Sequence, residues 1–302
     1  MIPHVHARVA LVLLCLALAA CGPKKDANTS GDVAGAVTRQ PPVAPTTVAA
    51  GDAAYLQRHV REQTDAAIAA YEAALVGDPA RADGPAIRTR LAILYYGRAY
   101  YYEAEAPKAE RMATYLLGRD HALAALRRNA AFAAARDEGT KLKDAIPLLE
   151  AEDVGPLYWA ALNWSRWGEM KGILRVALDI PKVRAAMEHC HGLSEDYYEA
   201  AVHRFFSAFF AALPPFAGQD IERAEAHALR AREIAPRHME NQITEADYLA
   251  THHRDRARYQ SLMAEVLAQP LPPESDPFYF ELLVARWDAE RKLADLDRIL
   301  PE

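Results

Sequence analysis

The chain has 302 residues, 25% charged and 51% hydrophobic, enough for a sizeable core in one large domain or one repeat array. A formal net charge of −6 with scattered positives leaves no basic stripe to displace counterions, which argues against nucleic acid as a partner. No Gly-x-Ser-x-Gly, phosphate-cradling glycine loop, His-Glu-x-x-His or CxxC pair is present. Acidic residues sit beside arginines, as in Glu222-Arg223-Ala224-Glu225, the pattern of an ion-paired helix face, so the chain reads as a non-enzyme without cofactor.

The N-terminus carries the most specific local signal. His4, His6 and Arg8 precede an apolar run, Val9 to Ala20, which has the length of a signal h-region and is too short to span a bilayer. The run ends Leu18-Ala19-Ala20-Cys21-Gly22, with Leu three before Cys and small residues between, which resembles a bacterial lipobox. Residues 1–20 are therefore expected to leave as a lipoprotein signal peptide, with Cys21 acylated. More than one acyl chain, at about 0.8 kcal/mol per buried methylene, makes a stable membrane anchor. Residues 1–20 contain Arg8 but no carboxylate, so their loss takes the formal charge from −6 to −7. Gly22 rather than Asp follows the enteric sorting rule to the outer membrane, so the expected location is its periplasmic face. Cys15 leaves with the signal, so Cys190 alone remains and no internal disulfide forms. Its neighbours His189 and His191 point about 200° apart on a helix and cannot grip one metal. His252-His253 offers less, and no metal site is expected.

Residues 21–51 are rich in Gly, Pro, Ser, Thr and Ala and form a disordered tether reaching roughly 30 Å. A single all-helical domain follows over 52–302, because strand alternation is absent and Ala and Leu abound. Helices are expected near 52–77, 84–105, 107–136, 154–178, 181–191, 195–213, 220–235, 237–252, 255–268 and 277–298. Pro107, Pro181 and Pro277 each mark a first helical residue, and 137–153 reads as an irregular insertion. Ala67, Tyr71, Ala74 and Pro79 match the second half of a tetratricopeptide repeat. The same offsets recur at Ala224, Ala228, Ala231 and Pro236. The fold class is thus all-α: a degenerate tetratricopeptide-like helix-pair solenoid of about four pairs plus a terminal capping helix.

The helix Val154 to Met170 holds Trp159, Trp164 and Trp167, with Asp153 and Pro156 at its start. Trp159, Asn163, Trp167 and Met170 share one face. The Asn163 amide either is satisfied inside packed core or faces an apolar ligand cavity. Tyr95, Tyr96, Tyr100, Tyr101 and Tyr102 form a second aromatic group, and Phe205, Phe206, Phe209 and Phe210 a third. Buried tyrosine hydroxyls need polar partners, and Tyr96 and Tyr100 share a face, so they join the candidate ligand wall. Arg166 is a candidate for a solute carboxylate, although it lies about 80° from the mean direction of Trp159 and Asn163.

Taken in order, these features resemble the T-component (TatT) family of tetratricopeptide-associated TRAP transporters. They are the lipobox at Cys21, the repeat half Ala67–Pro79, the aromatic helix Tyr158–Trp167, the Tyr197–Tyr198 helix start, the Leu213–Pro215 turn, the repeat half Ala224–Pro236, and Asp255-Arg256 leading into Leu262 and Leu267. Where the family's turn often ends in a Gly pair, this chain has Gly218-Gln219. The resemblance implies a periplasmic, homotrimeric lipoprotein whose cavity binds a small hydrophobic or organic-acid solute and which partners a TRAP solute-binding (P) component. A different expectation is a tetratricopeptide scaffold that organises an outer-membrane assembly through peptide binding.

Overall fold

The computed structural model describes residues 47–301. The expected signal peptide at 1–20, the acylated Cys21 and the tether through residue 46 lie outside the described residues. Among the described residues there are fourteen α-helices and no strand, a solenoid-like all-α fold.

Helix α1 (Val48–Leu56) begins four residues ahead of the expected boundary at 52, because Thr47 Oγ1 accepts from the Ala50 N–H at 3.3 Å. Residues 48–51 of the expected tether are therefore helical. The chain breaks at 57–60 before α2 (Arg61–Gly77), where one helix was expected. Helix α3 (Gly84–Gly97) runs on into a π turn, Arg98–Tyr102. The expected helix over 107–136 divides into α4 (Lys108–Ala125) and α5 (Ala130–Asp137). Asn129 takes extended φ/ψ between them and its side chain accepts from the Phe132 N–H at 3.0 Å. The insertion holds only a short α6 (Leu142–Ala145) and single 3-10 turns.

Helix α7 (Val154–Lys171) ends at Gly172, and α8 (Ile173–Leu193) begins at once. The expected break at Pro181 is corrected: Pro181 lies inside α8. The reversal sits at Gly172, whose φ of 112° a residue with Cβ adopts only under strain. Then come α9 (Tyr197–Ala212), α10 (Ile221–Ile234) and α11 (Glu240–Glu245), which continues into a second π turn, Ala246–Ala250. Asp220 and Asp255 cap α10 and α12 (Arg256–Ala268) through the N–H groups of Arg223 and Arg258, at 3.0 and 2.8 Å. Helix α13 (Tyr279–Ala294) is separated by Asp295 from α14 (Leu296–Ile299).

Neighbouring helices pack in pairs: α1 with α2, α3 with α4, α7 with α8, α9 with α10, α12 with α13. Small residues permit the close approach, as at Ala67 on α2 and Ala224 and Ala231 on α10, all buried. The largest apolar core joins α7, α8 and α9 through Leu157, Met187 and Phe206. The stack also turns back on itself. Helix α13 returns to the first helices, where Arg58 Nη2 donates to Glu281 Oε2 at 2.7 Å and to the Pro277 carbonyl. Phe280 stacks on Tyr102 at 5.8 Å, and Trp287 meets Tyr101 edge-on at 5.0 Å. The expected capping helix thus closes the far end onto the start.

Candidate functional site

Asn163 is 0% exposed. Its Nδ2 donates to the carbonyls of Ala92 at 3.2 Å and Trp159 at 2.9 Å, linking α3 to α7. Gly118 on α4 lies against it: a Cβ there would fall 2.5 Å from Asn163 Oδ1. Asn163 has no accessible surface, but its Oδ1 has no hydrogen-bond partner, so the amide is only half satisfied in the place where Gly118 lets α4 close on it. Trp167 is likewise buried, beside Ala99 and Tyr115, with the Arg175 guanidinium 4.7 Å above its ring. Tyr96 packs against the same cluster, meeting Tyr115 at 5.8 Å, and links it to the remaining candidates.

Those candidates converge. Tyr96 and Tyr100 stack at 5.9 Å, and the Trp159 ring meets Tyr96 edge-on at 5.4 Å. Arg166 Nε donates to the Tyr96 hydroxyl at 3.4 Å, and its guanidinium lies 5.6 Å over the Tyr100 ring. Nη1 pairs with Glu169 at 3.2 Å, while Nη2 has no hydrogen-bond partner among the described residues. Arg166 keeps 24% of its side chain accessible. Tyr96, Tyr100 and Tyr248 also keep accessible surface, yet burial raises all three phenols, Tyr248 to about 12. Groups that protein desolvates but does not cover lie in a recess of the surface. The nearby Tyr96 oxygen, set against the opposing effect of burial, holds Arg166 firmly protonated.

Both π turns supply this wall: Tyr100 comes from the first and Tyr248 from the second. A π turn displaces side chains from α-helical register and recurs at functional sites. Further out, the Tyr100 hydroxyl donates to Asp288 Oδ2 at 2.6 Å, and Lys292 bridges Asp288 and Asp247 at 3.4 and 2.7 Å. These buried charges are all paired, as burial requires.

The α9 side of the recess is strained. Tyr198, Glu199 and Ala200 all have positive φ, at 49°, 55° and 62°. Left-handed backbone costs about 1–2 kcal/mol per residue for side chains with Cβ. Arg204 offsets part of this by donating to the Tyr198 carbonyl at 3.0 Å and to that of Glu199. The turn lets Tyr197 OH accept from Trp159 Nε1 at 3.1 Å while Tyr198 OH donates to Glu281 at 2.6 Å. Arg204 also pairs with Glu240 at 3.4 Å. Burial opposes ionisation of Glu240, but its hydrogen bond with His238 and the charges of Arg204, His238 and Arg166 outweigh that and hold it at about 2. The sequence expectations did not assign Tyr198, Glu240, Tyr248 or Asp288 to the site, and of these only Tyr198, in the Tyr197-Tyr198 pair, left a local trace.

A concavity of about 760 Å³ lies among α4, α5, α6, α7 and α8, with Leu123, Phe132 and Trp164 in its lining. Its basic rim is largely engaged: Arg127 pairs with Asp137 at 2.8 Å, Lys182 with Asp179 at 2.9 Å, and Arg136 with the Thr140 carbonyl. The Arg166 cluster, with its open donor, lies outside this concavity.

Residues 59–297 match the family model described as TRAP transporter T-component. No match is found among curated proteins.

Proposed function

The chain belongs to the TRAP transporter T-component family, which associates it with TRAP transport, and from that membership we propose that it binds a small organic acid in the recess around Arg166 and passes it to a transporter solute-binding component. The observation that carries this reading is the Arg166 guanidinium. It is fixed by Tyr96 and Glu169, overlies Tyr100, and retains an open Nη2 in surroundings depleted of water. A carboxylate gains most from such a donor, because a charge-assisted bond strengthens where water is excluded. Trp159, Tyr96, Tyr100 and Tyr248 supply the apolar walls for the rest of the solute. In this reading acylated Cys21 holds the protein on the periplasmic face of the outer membrane, as a homotrimer, and no bond in the solute is made or broken.

Native mass spectrometry of the purified chain tests the reading. A carboxylate-bearing small molecule is expected to accompany the wild-type chain and to be lost from Arg166→Ala while folding is retained. The same molecule retained by Arg166→Ala, or a solute lacking an anionic group, overturns it.

A further inference from the structure

Where α8, α9 and α10 meet, three histidines come together, one from each helix. His191 ends α8, His203 lies within α9, and His227 lies within α10. One ring nitrogen from each falls within 4.8 Å of the others. The ring centroids are 4.9 Å apart for His191 and His203, 5.0 Å for His203 and His227, and 5.8 Å for His191 and His227. Imidazoles around a tetrahedral zinc, with Zn–N of about 2.0–2.1 Å, stand with their ring centres ~5.2 Å apart. The triangle therefore already has the dimensions of a three-histidine zinc site. We infer that His191, His203 and His227 bind one divalent transition cation of the zinc class, with water in the fourth tetrahedral position.

The surroundings support it. His203 Nε2 lies 3.1 Å from Glu195 Oε2, leaving Nδ1 to face His227 Nδ1 at 2.8 Å. A carboxylate on the far nitrogen is the usual orienting partner of a metal-bound imidazole, because it fixes the tautomer and raises the basicity of the other nitrogen. The 2.8 Å contact must open by roughly 0.5 Å, since nitrogens on one tetrahedral zinc stand ~3.3 Å apart. His191 has no hydrogen bond among the described residues, so a cation would supply the polar partner its half-buried ring lacks. Phe206 and Phe210 stack on His227 at 5.2 and 5.9 Å and fix its ring. The nearest cations are Arg230, engaged by Glu195 and Glu233 at 2.6 and 3.1 Å, and Arg223, which lies 4.0 Å over Phe210. Sequence proximity misleads at this cluster. His189 turns away to the Leu149 carbonyl at 2.9 Å, and Cys190 is buried against Val154, so the partners of His191 lie 12 and 36 residues onward.

The test uses the full chain, stripped of metal and titrated with Zn²⁺ by calorimetry, with Co²⁺ as a spectroscopic substitute. One zinc per chain and the intense visible absorption of tetrahedral Co²⁺ are expected, with both lost in His191→Ala and His227→Ala. Glu195→Gln should weaken binding about 10–100-fold as a positioning residue. The exposed pair His252→Ala/His253→Ala should change nothing. His191→Ala is the safest variant for folding, since its ring makes no hydrogen bond. Zinc binding that survives both His191→Ala and His227→Ala, loss of binding in the His252/His253 variant, or a weak octahedral Co²⁺ spectrum overturns the assignment. The cluster shares no residue with the Arg166 recess, so either site can fail alone.

Discussion

Asn163 and Arg166 stand three residues apart on α7 and are used in opposite ways. Asn163 spends its amide hydrogens on two backbone carbonyls and presses on Gly118. Arg166 is held by Tyr96 and Glu169 and keeps one donor open. Both are polar side chains on one aromatic helix, so the difference comes from what lies opposite. Helix α4 presents a glycine to Asn163, and the two helices approach closely there. Around Arg166 the two π turns present Tyr100 and Tyr248, rings too large and too fixed to let the helices meet. A polar residue among aromatics is thus packed shut or left partly open according to the size of the residue facing it.

The largest expected effect breaks the closure of α13 onto the first helices. Glu281→Ala leaves Arg58, with 3% of its side chain exposed, without its carboxylate. The expected loss is about 3–5 kcal/mol in urea unfolding. Solute retention should fall with it, because α13 then no longer closes onto the first helices. Next, Gly118→Ala drives a methyl against Asn163 and should cost about 1–3 kcal/mol, read in the same unfolding series. The solute should stay bound in this variant. A Gly118→Ala chain of full stability that releases its solute would reverse the roles of the two sides of α7.

Much of this contrast is legible in the sequence, and the part that is not has definite causes. The i, i+4 spacing correctly puts Tyr96 with Tyr100, and the angular offset of Arg166 from Asn163 already separates the two faces. Asp220 and Asp255 announce their helices, since a carboxylate ahead of a periodic segment is a strong cap. Asn129 carries the same chemistry but is hidden in an Ala- and Arg-rich run that reads as continuous helix. Pro181 reads as a break, yet the reversal belongs to Gly172. The π turns leave no signature in composition. Asp288 meets Tyr100 across 188 residues and Glu281 meets Tyr198 across 83, contacts that only the return of α13 creates.

A pH series sharpens the comparison without mutation. Glu240 keeps 38% of its side chain accessible, so its contribution is screened. Its folded value of about 2 lies below the ordinary 4.5 of a free glutamate, so its share of stability is fully present above about 4.5. That share is lost as pH falls toward 2. Unfolding midpoints of wild type and Glu240→Gln should therefore differ at pH 7 and converge by about pH 2. Asn163, with no charge to lose, should give no such convergence in an Asn163→Ala chain compared with wild type.

The smallest expected change in stability comes from Arg166→Lys, within about 0.5 kcal/mol of wild type. It is also the most discriminating substitution for binding. Lysine keeps the positive charge but removes the planar fork, losing the Nε contact with Tyr96 and the second direction of donation. If the recess recognises a carboxylate through a fixed guanidinium, the solute off-rate should rise at least tenfold while the unfolding midpoint barely moves. If charge alone holds the solute, Arg166→Lys should bind as wild type and only Arg166→Ala should fail. The second outcome would make Tyr96 and Tyr100 mere walls, and Arg166 a counter-charge without geometry.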